Sequence, residues 1–169
     1  MVVDWNEDGL NDLIMLDHEG YLAFFQRRRV RDPGDEQHAA ADKLQLLPGK
    51  RVFRGQQFNG KHQASNAPDG RLRLNTGSNG GSGRRKLCIV DWDGDGRRDI
   101  LINSSNVNWL RNVSDDGTSW LFEDQGPLAE RILAGHTTSP TTVDWDGDGR
   151  RELLVGAEDG RLYVRPRSP

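Results

Sequence analysis

Apolar positions along the chain come in short runs, and three of these runs follow one plan. "LIMLDHEGYLAFF" (13–25), "ILINSSNVNWLRN" (100–112) and "LLVGAEDGRLYVR" (153–165) each hold an apolar segment, a Gly or Asn turn and a second, alternating segment. Alternation on both sides of a turn residue predicts a β-hairpin. A further strand precedes each hairpin, in "MVV", "KLCIV" and "TTV", and "RVFRGQQF" (51–58) and "SWLFEDQG" (119–126) follow the first two as candidate fourth strands. The reading is all-β, with about three four-stranded antiparallel units in a single domain over 1–169. The first unit spans about 1–75 with an inserted loop at 27–50, the second 84–128 and the third 137–169. The insertion is polar and charged at its start; it reads as an exposed loop with a helical turn at 36–47.

Between the first two strands of each unit stands the same acidic motif: "VDWNEDGLNDL" (3–13), "VDWDGDGRRDI" (90–100) and "VDWDGDGRREL" (143–153). The first aspartates are separated by 87 and 53 residues. The shorter spacing is near one four-stranded propeller blade, about 40–50 residues. Four antiparallel strands repeated radially describe a β-propeller; a β-solenoid, the alternative, has shorter and more regular repeats. Three blades do not close a ring, since propellers have about 4–8. The expected architecture is therefore a partial β-propeller, either the C-terminal part of a larger one or a piece completed by other copies.

Counted from its first aspartate, each motif offers oxygen at alternating positions. The sets are Asp4, Asn6, Asp8, Leu10 and Asp12; Asp91, Asp93, Asp95, Arg97 and Asp99; and Asp144, Asp146, Asp148, Arg150 and Glu152. Alternate side chains turning inward, a Gly at position six and a backbone carbonyl at seven are what a hard cation requires. The side chain at seven is then free, so Leu10, Arg97 and Arg150 can all stand there. Position twelve is Met15, Ile102 or Val155 rather than the Glu of a helix-loop-helix site, and the acid at nine must close the shell. Many flexible oxygens favour Ca2+ over magnesium, and no Cys/His cluster indicates zinc. The competing reading, a merely polar turn, does not account for five aligned positions recurring three times.

Net charge is −3, but eleven of the 26 acids stand at the alternating positions of the three motifs, so the other fifteen face 23 Lys and Arg. Three divalent ions would move the whole chain to +3, a balance tolerant of anionic partners. Cys88 is the only cysteine and sits in an apolar strand, where an inert core thiol is expected. No apolar run reaches the ~18 residues of a membrane span. Met1 is followed at once by the first motif, without a signal peptide, which points to an intracellular protein or to a chain cut from a longer one.

The motifs "VDWDGDGRRDILI" and "VDWDGDGRRELLVGAEDG" resemble FG-GAP/VCBS-type calcium-binding propeller repeats, relatives of integrin-α blades. The resemblance covers residues 2–25 and 83–167. It implies calcium held between the first two strands of each blade at the aligned positions above. It also implies an extracellular or periplasmic setting, because relatives occur in large secreted bacterial proteins, some of them polysaccharide lyases and glycosidases.

Meander topology puts the acidic loops on one face of such a disk. The hairpin tips "DHEG" (17–20), "SSNVN" (104–108) and "AEDG" (157–160) fall on the opposite face, with "GGSGRRK" (80–86) and "AGHTTSP" (134–140). Candidate ligand groups there are His18, Arg85, Lys86 and Trp109. A catalytic reading adds His136 as general base and Arg84 as the cation neutralising a uronate carboxylate. Each has a plainer reading: a turn residue for His136, a solvated basic turn for Arg84 and its neighbours, packing for Trp109. Trp5, Trp92 and Trp145, alike in position, read as packing beside the metal. "RRRVR" (27–31) lacks interleaved aromatics, so nucleic acid is not expected as a partner. Two functions stay open: a calcium-stapled platform for carbohydrate or protein, and part of a lyase or glycosidase acting on uronate-containing polysaccharide. Partners would be an anionic polysaccharide, and the rest of a parent propeller or a second copy completing the ring.

Overall fold

Each hairpin and its preceding strand form an antiparallel sheet. The computed structural model describes residues 1–30, 43–56, 67, 69–74, 85–115, 120–133 and 138–166. In sheet one, β1 (Val2–Val3), β2 (Asp12–Leu16) and β3 (Leu22–Phe25) lie side by side in that order. β4 (Arg27–Val30) and β5 (Lys43–Leu46) form a separate two-stranded ribbon. β6 (Phe53–Gly55), β7 (Leu87–Val90), β8 (Asp99–Asn103), β9 (Val107–Asn112) and β10 (Trp120–Pro127) form sheet two, in the spatial order β6-β10-β9-β8-β7. Sheet three holds β11 (Ser139–Val143), β12 (Glu152–Gly156) and β13 (Leu162–Arg165). The described residues contain no helix.

Two expectations need correction. Lys43–Leu46 is a strand, not part of a helical turn; residues 36–42 of that stretch lie outside the described residues. An isolated helical turn leaves most of its backbone groups unpaired, whereas pairing Arg27 with Leu46 through Val30 with Lys43 gives them partners. The candidate fourth strand at 51–58 does not extend sheet one. Its Phe53–Gly55 core runs parallel to β10, with Phe53 opposite Trp120, so the sheets hold three, five and three strands.

Aromatic packing explains this placement. Phe53 is fully buried and stands 5.2 Å edge-on from Trp5 and 5.2 Å from Trp120, while Phe24 meets Trp120 at 4.9 Å. These rings join the inner face of sheet one to sheet two, where Ile100, Ile102 and Phe122 complete the cluster. Strand β8 is buried along its length because both of its faces are covered: Ile100 and Ile102 turn toward sheet one, and Leu101 turns toward Leu153 and Val155 of sheet three. Cys88 lies in this second cluster with its thiol pKa raised by burial, as an inert core thiol should.

Candidate metal centres

The three acidic loops connect β1 to β2, β7 to β8 and β11 to β12, and they fold alike. The carboxylate at position one accepts two backbone N–H groups from its own loop. Gly94 and Gly96 donate to Asp91 at 2.7 and 3.1 Å, and Gly147 and Gly149 donate to Asp144 at 2.8 and 3.1 Å. In loop one Asp8 and Gly9 donate to Asp4 at 3.1 and 3.0 Å. Position three accepts the N–H of position five, and position five that of position seven, at 2.7–2.9 Å for Leu10, Arg97 and Arg150. The tight curl needs left-handed backbone at position six, φ +83 to +86° at Gly9, Gly96 and Gly149. Position four is left-handed too; Gly94 and Gly147 occupy it at no steric cost, whereas loop one places Glu7 there at φ 60°.

Position nine is the buried anchor. Asp99 accepts the N–H of Trp92 at 3.1 Å and of Asn112 at 2.7 Å; Asp12 accepts those of Trp5 and Arg27, and Glu152 that of Trp145. In loops one and two the anchor thereby ties the loop to a later strand, and in loops two and three it brings its carboxylate close to two others. In loop two the carboxylate oxygens of Asp91, Asp93 and Asp99 lie within 4.8 Å of one another, and in loop three those of Asp144, Asp146 and Glu152 do the same. Such clusters can hold a metal ion. The donors are all oxygen, and the hydrogen bonds to Asp99 come from backbone N–H groups rather than from a cation, so the residues fit a hard divalent ion. Loop one adds no third triad among the described residues. Its position three is Asn6, whose Nδ2 donates to Asp8 at 3.0 Å.

Loop two differs from loop three in its arginines. Arg111 on β9 donates to Asp93 at 2.6 Å and to Asp95 at 3.4 Å, and Arg97 also bonds Asp95. Burial opposes ionisation of Asp95, but the Arg97 N–H and the two guanidiniums outweigh it and hold the carboxyl below its ordinary range. Arg98 reaches across to Glu7 of loop one at 2.9 Å, an exposed pair that contributes little.

Burial pushes the Asp99 carboxyl up to about 6, overcoming the lowering effect of the Asn112 N–H, the neighbouring Trp109 indole and the Trp92 N–H; the nearby Asp93 charge adds to the rise. Between the usual carboxylate pKa of ~4 and this value, the metal-free folded state holds a proton that the unfolded state lacks. The resulting stabilisation is present at low pH and is lost as pH rises through about 6. A divalent ion needs Asp99 ionised, so binding at loop two should weaken as pH falls below about 6 and should release a proton. Titrating an Asp4→Ala/Asp144→Ala double variant on either side of that value isolates loop two; equal affinities at both would reject the assignment.

Residues 91–155 match the family model of the FG-GAP-like repeat. The chain carries an FG-GAP-like repeat. The matched stretch opens on Asp91, crosses sheet two and ends at Val155, and so contains both carboxylate triads. No curated protein and no solved structure matches the chain.

Away from the loops, the FG-GAP-like stretch and its surroundings place the other candidates as follows. Arg85 is exposed as a residue, but its guanidinium is committed to backbone: it donates to the carbonyls of Leu74 at 2.7 Å and Asn103 at 2.9 Å, and partial desolvation lowers its pKa. Lys86 bonds Ser139 Oγ at 2.6 Å, linking sheets two and three. Trp109 packs against the second core cluster, with its indole nitrogen buried. His18 is exposed at the first hairpin tip, where Arg51 already pairs with Asp17 and Glu19 and lies over the Tyr21 ring. His136 and Arg84 lie outside the described residues. Of the position-two tryptophans, Trp5 and Trp92 are buried as expected, but Trp145 is 60% exposed because no described sheet covers that side of sheet three. Sequence reasoning missed Arg111, an alternating position on a strand far from the motif. It also missed Asp124, which lines a cleft of about 290 Å³ with Arg85, Asn103, Ser104 and Asn108.

Proposed function

We propose that the chain is a calcium-holding module of β-propeller type, serving outside the cytosol as a rigid platform for an anionic polysaccharide. The observation that carries this reading is the pair of three-carboxylate clusters, each at the foot of a buried strand within or beside an FG-GAP-like repeat. Calcium suits them better than magnesium because the sites offer many flexible oxygens and lie open at the surface. Asp95 and Asp148 at position five and the carbonyls of Arg97 and Arg150 would complete the shells; Asp4, Asn6, Asp8 and Asp12, with the Leu10 carbonyl, would form a third, weaker site. The ions would act structurally, holding the turn that sets how one strand enters the next.

The platform reading draws on the cleft beside the β8–β9 hairpin tip of sheet two. Its hydroxyl, amide and carboxylate groups at Ser104, Asn108 and Asp124 are the kind that bind sugar hydroxyls. Calorimetric titration tests the reading: calcium should bind with Kd of roughly 10⁻⁴ to 10⁻³ M, and Asp91→Ala and Asp144→Ala should each delete one site. A uronate polysaccharide titrated into the calcium-loaded protein should then give heat that Asn108→Ala reduces. Absence of calcium binding, or calcium binding untouched by both aspartate changes, overturns the proposal.

A further inference from the structure

The two ends of the sheet stack carry faces that are already packed together inside the molecule. Sheet one presents Trp5, Ile14, Leu22 and Phe24 to sheet two, all buried. Sheet three is built in the same register: Phe24 pairs with Ile14 and Val164 with Leu154, Leu22 with Leu16 and Leu162 with Gly156. The equivalent residues of sheet three are therefore Trp145, Leu154, Leu162 and Val164. Here Trp145 is 60%, Leu162 56% and Val164 42% exposed.

The opposite end mirrors this. Ile89, Ile100 and Ile102 form the face of sheet two that receives sheet one, and Leu153 and Val155 of sheet three receive sheet two in the same way. The corresponding positions on sheet one are Val2, Leu13 and Met15, of which Val2 is 66% and Met15 44% exposed. One end thus shows the donating face of the internal contact, and the other end shows the receiving face.

We propose that the occupant of the sheet-three face is a second copy of this chain, seated through its sheet-one face. The contact continues the interface that already joins sheets one and two, with Trp145 taking the place of Trp5. Trp145, Leu162 and Val164 together offer on the order of 300 Å² of exposed apolar surface, the centre of an interface of about 800 Å² per partner. The contact is head-to-tail, so copies either close a ring or form an open filament. Two copies bring six sheets, within the ~4–8 of closed propellers, whereas three sheets fall short. The copy number rests on the propeller-type reading; the matching of the faces does not.

The oligomeric mass of the full chain in calcium tests this directly. The wild type should weigh twice the chain mass. Leu162→Arg spoils one face and Met15→Arg the other, and each variant alone should be monomeric. Mixed, they retain one intact pair of faces and should return to twice the chain mass. Recovery on mixing is specific to a head-to-tail contact. A monomeric wild type, a mass that grows without limit with concentration, or a Met15→Arg variant that stays dimeric would each overturn the proposal. The wild-type mass needs no variant to fold. Calcium titration reads the loops separately, so loss of metal binding and loss of self-association are distinguishable results.

Discussion

Calcium at about 10 mM is expected to raise the melting temperature of the chelator-stripped protein by roughly 3–10 °C per occupied loop. An ion that binds only the folded state stabilises it by RT ln(1 + [L]/Kd). With Kd between about 10⁻⁴ and 10⁻³ M, that concentration gives about 1.4–2.7 kcal/mol per site. For a chain of this length each kcal/mol moves the midpoint by about 2–4 °C. Loop three should supply the larger share, because the Asp146 carboxylate lacks the arginine that Arg111 provides to Asp93, position 164 of sheet three being Val. Asp144→Ala should remove that share while leaving the chelated protein's midpoint nearly unchanged. Scanning calorimetry with and without calcium makes the measurement; a midpoint indifferent to calcium would remove the metal from the account.

Phe53→Ala should be the most damaging single change, at about 3–5 kcal/mol or roughly 6–20 °C. The ring is fully buried among Trp5, Trp120 and Phe122 and joins two sheets, so its loss opens a cavity that neither sheet can close alone. Ile132→Ala, at a residue 74% exposed, is the control and should stay within about 0.5 kcal/mol. Urea unfolding of both variants compares them. A small effect at Phe53 would mean that β6 does not hold sheets one and two together.

The hairpins and the loop curl were legible because their causes are local. Alternation around Gly20 and Gly160 specifies β2–β3 and β12–β13, and a Gly at position six permits the left-handed turn wherever the motif recurs. Parallel pairing of β6 with β10 was not legible, because it depends on an aromatic cluster assembled from distant parts of the chain. The sharpest case is "VDWDGDGRR", identical at 90–98 and 143–151. Its tryptophan is 8% exposed in the first copy and 60% in the second. Nothing within the motif distinguishes the two; the difference is the presence of sheet three beside sheet two and of no described sheet beyond sheet three. Charge was similarly hidden: eleven acids could be counted, but not that a guanidinium on β9 reaches two of them.

Arg111 gives loop two a cation of its own. A divalent ion arriving there would trade places with a tethered monovalent group, so the gain in positive charge at the carboxylates would be about one unit, against two at loop three. Emptied of metal, loop two keeps an internal stand-in and loop three is left with bare repulsion. Heating without calcium should therefore fray the molecule from its sheet-three end inward.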